Sequence, residues 1–284
     1  MAGQKSLTGR IGRILFWVTV VVIFVYTLFP FIWSFITSLK TEGERLQTPT
    51  TYFPKNLTLE NYASVINNGL FTRGLLNSTL VAGGVVLLSL AIGAFAAYAM
   101  GRLQFRGRRV TMYVILSMTL FPQISILAGL FSVVRGLGLY GNIGSLLLSY
   151  MIFTLPFTAW VLTSFFKALP LELEQAALVD GATPIQTFYM ILLPLAAPAL
   201  VTTGLLAFIA AWNEYLFALT FTLVNPEAQT VTVAISHFSG SVARQEPFGE
   251  ILAAAILVTV PLIVLVLIFQ RRIVEGLTAG AVKG

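Results

Sequence analysis

The sequence predicts an all-α polytopic membrane protein with six transmembrane helices. Three observations carry that prediction. Of 284 residues, 57% are hydrophobic and only 10% are charged, with a mean hydropathy of +0.88, whereas a soluble domain carries about 25% charged residues. Uncharged runs of the ~20 residues that cross a bilayer as a helix recur along the chain. Basic residues gather in the short connections between those runs, where they set orientation.

Lys5, Arg10 and Arg13 precede an uncharged stretch at 14–39, the first span, with Pro30 a kink near its end. That run is longer than the ~7–15-residue core of a cleaved leader and ends in Pro30-Phe31-Ile32-Trp33 rather than at small residues, so it is expected to remain as an anchor. Residues 40–74 are polar, with Lys40, Glu42, Glu44, Arg45, Lys55 and Glu60, and Pro49 and Pro54 interrupt them; an exposed loop is expected. The second span, 75–101, carries Gly83, Gly84, Gly93 and many alanines, which let membrane helices approach closely. Arg102, Arg106, Arg108 and Arg109 follow at once.

The third span is expected at 110–134 with Pro122-Gln123 about halfway, and the fourth within 137–166 after a turn rich in glycine. The fifth is expected over 195–219 and the sixth over 251–270, before Arg271-Arg272. Six spans place the segment 1–13 and the tail 271–284 on one side. That side collects eleven of the seventeen Lys and Arg, and the positive-inside rule makes it cytoplasmic.

Residues 169–198, between the fourth and fifth spans, form a long run of helix punctuation. Pro170 suits a first turn, Glu172 and Glu174 complement the helix dipole, and Gly181 after Asp180 supplies a left-handed stop, which predicts a helix over 171–180. Thr183, Pro184 and Gln186 then open a second helix with a capping box. Ala176 and Ala177 present a patch of small side chains to which a partner can come close.

The chain has no cysteine and one histidine, His237, so thiolate chemistry, disulfides and a His or Cys metal cluster are excluded. It has no G-x-x-x-x-G-K-[ST] phosphate loop, so any ATP hydrolysis belongs to a partner. No catalytic residue, metal or cofactor is expected on this chain. The net charge of +6 flanks apolar spans and does not mark a nucleic-acid binder. Glu214, in Trp212-Asn213-Glu214-Tyr215, is the one charge inside a span, and it either lines a translocation path or clamps helices together. Trp212, Asn213, Asn77 and Gln123 are further pathway candidates, with interhelical clamping the competing role for Asn77 and Gln123.

Gln175-Ala176-Ala177, three residues, Gly181, nine residues and Ile191-Leu192-Leu193-Pro194 resemble the EAA loop of binding-protein-dependent ABC importer permeases. The tail from Arg271, small and polar and on physics alone without regular structure, is similar to that of maltose-type permeases. The likeness extends to Pro122-Gln123, the run from Arg135 to Leu139, Pro156-Phe157 and Trp212-Asn213-Glu214.

This resemblance implies a type I ABC importer (MetI-like) fold over 14–270, in the plasma or inner membrane among its lipids. It implies a second permease subunit, two copies of an ATP-binding subunit holding ATP and Mg, and an extracytoplasmic solute-binding protein approached by the loop 223–250. It places Glu174, Gln175, Ala176, Ala177, Asp180, Gly181, Ile191 and Pro194 at the ATPase-coupling surface of the loop 167–194, and the tail at the ATPase dimer interface. An oligosaccharide such as maltose or trehalose is the implied substrate. Gln175 stands where the motif usually has Glu, so a salt bridge there is not expected, although Glu174 offers a charge from a neighbouring face. The alternatives are an ABC permease for another solute, a membrane scaffold, and a secondary transporter or channel, which calls for charged relays or inverted repeats.

Overall fold

An apolar run in a bilayer must satisfy its backbone hydrogen bonds internally, and a helix does so within one segment. The computed structural model describes residues 2–238 and 247–281, with side chains for 9–238 and 247–271. Among the described residues there is no strand, only an isolated bridge between Lys40 and Leu57. Four continuous helices are long and apolar enough to span: Gly9–Ser38, Gly69–Arg102, Ile143–Ala168 and Phe248–Arg271. Two bent helix pairs bring the number to six if each is one span.

The chain divides into two units. The first, Met1–Asn67 with Phe238–Leu257, holds α1 (Ala2–Ser38), α2 (Glu42–Arg45), α3 (Glu60–Asn67) and the start of a last long helix, Phe248–Ala281. The spanning part of α1 buries none of its apolar window within the chain. The expected exposed loop at 40–74 is corrected: it contains α2 and α3, the next helix begins at Gly69, and Lys40 and Glu44 are buried. Buried charge persists only when paired or hydrogen-bonded, and hydrogen bonds meet that need here. The Lys40 ammonium donates to the Thr51 carbonyl and lies 5.1 Å from the centre of the Trp33 ring. Glu44 accepts from the Thr51 hydroxyl and the Lys55 N–H, both at 2.8 Å. Arg45 donates to the Lys40 carbonyl at 3.1 Å and to Asn61 Oδ1 at 3.2 Å, and Asn61 Nδ2 donates to the Ser38 carbonyl at 2.7 Å. The Lys55 N–H, more than the nearby Lys40 charge, holds the Glu44 carboxyl below the usual carboxylate range.

The second unit, Asn68–His237 with Val258–Gly284, opens with α4 (Gly69–Arg102), capped by Asn68, whose side chain accepts from the Leu70 and Phe71 amides. The third apolar run is not one helix. It splits into α5 (Arg108–Thr119) and α6 (Gln123–Gly136), bent by 99°, because Pro122 lacks an N–H and forces its predecessor out of helical geometry. Gly138 and Gly141 take φ of 69° and 80° in the turn that leads to α7 (Ile143–Ala168). α4 and α7 pack along a seam of small residues. A Cβ on Gly93 would lie 2.7 Å from Thr158 Cγ2, one on Gly101 would lie 3.1 Å from Phe166 Cβ, and Ser89 and Thr154 share a 2.8 Å hydrogen bond.

Next come α8 (Glu172–Val179), α9 (Pro184–Thr187), a π-helical turn at Phe188–Leu192, α10 (Leu193–Leu195) and α11 (Ala197–Trp212). The fifth run is therefore also corrected. It is bent by 73° before Ala197 and stops at Trp212; Pro198 lies in the first turn of α11, where its missing N–H does no harm. α12 (Leu216–Thr222), a 3₁₀ turn at Pro226–Ala228 and α13 (Val231–Phe238) follow. The last helix, α14 (Phe248–Ala281), corrects the expectation of an unstructured tail, since the backbone stays helical through Ala281. Residues 239–246 of the loop expected to approach a binding protein, and 282–284 of the tail, lie outside the described residues.

Candidate functional site

The loop between α7 and α11 is built as its punctuation requires. α8 is a residue shorter at each end than expected, with Glu172 and Glu174 in its first turn. Gly181 takes φ 82°, and an added Cβ there meets nothing within 4 Å, so the requirement for glycine is one of backbone conformation alone. Thr183 Oγ1 accepts from the Gln186 amide at 3.3 Å while Gln186 Oε1 accepts from the Thr183 amide at 2.8 Å, the predicted capping box. Beyond it Phe188 enters a core with Ala94 and Ala97 of α4, Leu162 and Phe166 of α7, and Ala199 of α11. Its ring lies 5.0 Å from that of Phe95 and 5.1 Å from that of Tyr98.

The charge that Glu174 offers goes inward. Its Oε1 lies 2.7 Å from Arg102 Nε, with the two side chains 19% and 4% exposed. The same guanidinium donates to the Leu169 carbonyl at 2.8 Å and to the Pro170 carbonyl at 3.3 Å. The ion pair and the two hydrogen bonds of one guanidinium thus hold the entry to α8 against the end of α4. Gln175 and Ala176 are exposed, but Ala177 is 4% exposed and packs inward, so Ala176 alone of the expected pair is on the outer face. Asp180, Gly181 and Pro194 are exposed and Ile191 is half-buried. The outer face also carries large apolar groups: Leu178, Val179 (87% exposed) and Ile185. Arg108, from the same basic cluster, donates to the Met100 and Gly101 carbonyls at 2.6 and 2.9 Å and closes the end of α4.

Two of the five pathway candidates, Asn77 and Glu214, tie separate segments together. Asn77 Nδ2 donates to the Glu227 and Gln229 carbonyls, each at 2.8 Å, and its neighbour Ser78 accepts from the Val231 amide at 2.9 Å. Glu214, 6% exposed, accepts from the Phe217 amide at 2.8 Å and the Ala218 amide at 3.0 Å, so its carboxylate caps α12 beside the buried Tyr150. Its own carbonyl accepts from Thr232 Oγ1 at 2.9 Å. The expected place of Glu214 within a continuous fifth span is thereby corrected: a helix restarting at Leu216 needs acceptors for its first N–H groups, and the carboxylate supplies them. Trp212 is buried and stacked on Phe208, with ring centres 5.5 Å apart. Asn213 is exposed and donates to the Ile209 carbonyl at 2.9 Å. Gln123 is exposed in the first turn of α6 and joins none of these groups. His237 Nε2 pairs with Gln229 Oε1 at 2.9 Å.

Sequence reasoning missed the inward role of Arg102, which it read only as an orientation signal. An arginine at a span end six dozen residues before an acidic turn gives no local sign of the pairing.

Residues 89–278 match the family described as the inner membrane component of binding-protein-dependent transport systems. The chain belongs to that family. It is 44% identical over 259 residues to the trehalose transport system permease protein SugB of Mycobacterium tuberculosis, covering 91% of this chain and 93% of that one. It is 41% identical over 274 residues to the trehalose/maltose transport system permease protein MalG of Thermococcus litoralis, covering 96% and 97%. The crystal structure of a bacterial ABC transporter involved in import of the acidic polysaccharide alginate shares the fold, with a TM-score of 0.81 and 24% identity over 93% of this chain and 97% of that one. The chain is thus a membrane component of a transport system, and the scaffold, channel and secondary-transporter readings are set aside.

Proposed function

We propose that this chain is one of two permease subunits of an ATP-driven importer of a sugar of the trehalose or maltose class. The observation that carries the reading is the loop at 169–195. It presents exposed apolar side chains and the exposed Gln175, Ala176 and Asp180 on a short helix that is rigidly based on two spans. Such a surface outside the membrane has no reason to stay apolar unless a partner covers it. An ATP-binding subunit is the partner that fits a binding-protein-dependent transport system.

In this reading two such subunits hold ATP and Mg, this chain holds neither, and a solute-binding protein delivers sugar on the opposite side. The cluster Arg102, Arg106, Arg108 and Arg109 at the α4–α5 connection, with Lys167 ahead of α8, makes the side that carries α8 cytoplasmic. Closure of the ATP-binding subunits moves α8, and the spans based on it open the path toward the binding protein. Trehalose and maltose are the sugars named for the two relatives above, which supports a disaccharide of that class.

The test is uptake of radiolabelled trehalose by proteoliposomes holding this chain with the second permease, the ATP-binding subunits and the binding protein of its system. Accumulation that needs both ATP and binding protein is expected. Uptake that proceeds without ATP sinks the reading.

A further inference from the structure

α4 differs from the other membrane-length helices in one respect: it is continuous and has no internal proline. α1, α7 and α14 contain Pro30, Pro156 and Pro261, and the two remaining candidate spans are bent by 99° and 73°. A helix whose hydrogen-bond ladder is unbroken transmits displacement along its axis, whereas proline and breaks are where helices bend.

The two ends of α4 are also the two places where it grips connecting segments. At one end Arg102 holds α8 through Glu174 and through the Leu169 and Pro170 carbonyls. At the other, Asn77 binds the Glu227 and Gln229 carbonyls and Ser78 binds the Val231 amide. There the backbone of Val231 comes so near that a Cβ on Gly74 would lie 3.1 Å from it. Twenty-five residues separate Asn77 from Arg102, about 37 Å at the helical rise and more than the ~30 Å of a hydrocarbon core. The exposed pair Arg73–Glu227, at 3.5 Å, adds little, because solvent screens it.

We propose that α4 is the rod that carries movement of α8 to the segment 227–231 on the far side of the membrane, with Arg102 and Asn77 as the positioning residues that attach it at either end. The inference rests on the reading of α8 as the docking helix for an ATP-binding subunit. It adds a path by which the far face, where a solute-binding protein arrives, and the ATP-binding subunits sense each other. Neither residue touches substrate in this scheme.

The experiment uses the complete complex in proteoliposomes and reads two quantities: the ATP-binding subunit retained on purification, and the stimulation of ATP hydrolysis by binding protein loaded with trehalose. Arg102→Gln and Asn77→Leu are expected to retain the ATP-binding subunit and each to lose stimulation by about fivefold or more, the lower end of coupling between distant sites. Because the attachments act in series, the double variant is expected to be no worse than the poorer single one. Independent structural damage would multiply instead. Glu174→Gln, which removes the charge of the ion pair, and Ser78→Ala, which removes one hydrogen bond, serve as milder second variants and are expected to lose stimulation in the same direction.

Parental stimulation in these variants, or a double variant at the product of the singles, overturns the rod. So does failure of both Arg102→Gln and Glu174→Gln to retain the ATP-binding subunit, which would make the pair a folding contact. Replacing 172–180 by a Gly-Ser linker separates the two readings. If the linker complex keeps its ATP-binding subunit and full stimulation, the docking reading falls and the rod with it. If the linker uncouples while the Arg102 and Asn77 variants behave like the parent, only the rod falls.

Discussion

Glu214 shows how far one residue's meaning depends on its neighbours. A carboxylate inside an apolar run reads as a pathway group or as a clamp, and here its two oxygens are occupied by the amides of Phe217 and Ala218. Glu214→Leu leaves those buried donors without acceptors, at about 1–3 kcal/mol each. The expected outcome is less assembled complex with near-parental uptake per complex, checked by yield on size exclusion against transport normalised to yield. Normal yield with lost uptake would return Glu214 to the pathway. Glu44 gives a prediction in pH. Its folded carboxyl titrates below its ordinary value, chiefly through the Lys55 N–H, so the unfolded loop binds protons first as pH falls. Order in the loop is therefore fully supported above the ordinary carboxylate range and lost as pH drops through the lowered folded value. Hydrogen-exchange protection at 41–58, taken relative to the intrinsic rate at each pH, is expected to fall over that window, and Glu44→Gln to remove this pH dependence; identical protection profiles in parent and variant would refute it.

At the scale of elements, the α4–α7 seam and the stop at Gly181 carry the sharpest expectations. A methyl at Gly93 would sit 2.7 Å from Cγ2 of Thr158, a stiff β-branched side chain that is fully buried. Gly93→Ala is expected to destabilise by about 1–3 kcal/mol through overpacking, and Thr158→Ser, which deletes that methyl, to restore most of it. Thermal unfolding in detergent measures both, and absence of rescue would show that the seam relaxes elsewhere. Gly181→Val places a β-branched residue at φ 82°, a strain of about 1–3 kcal/mol. Since nothing crowds an added Cβ, the membrane part is expected to insert while the ATP-binding subunit is lost on co-purification. A variant that retains it and transports normally would reduce the loop to a connector.

For the whole molecule the testable matter is sidedness. The sequence has no cysteine, so single cysteines report position without interference. Replacements at Arg106 and Lys167 are expected to be labelled by an impermeant maleimide only from the cytoplasm, and a replacement at Lys55 only from outside, because basic connections stay on the cytoplasmic side. Labelling of Arg106→Cys from outside would invert the topology and move α8 away from any cytoplasmic ATP-binding subunit.

The sequence by itself determined the helical class, the positions of the apolar runs and the local construction of the docking loop. Those features depend on composition, on hydrophobic run length and on the chemistry of single positions such as Gly181, Thr183 and Gln186. The tertiary structure alone decided how far two apolar runs bend, which alanine of Ala176 and Ala177 faces outward, and which distant groups meet. Proline and caps act within a few residues and are legible in order along the chain. The pairing of Arg102 with Glu174, of Asn77 with the 227–229 carbonyls and of Lys40 with Thr51 joins segments from 11 to 152 residues apart. Such contacts are fixed only when packing brings the helices together and each buried polar group must find whatever partner stands next to it.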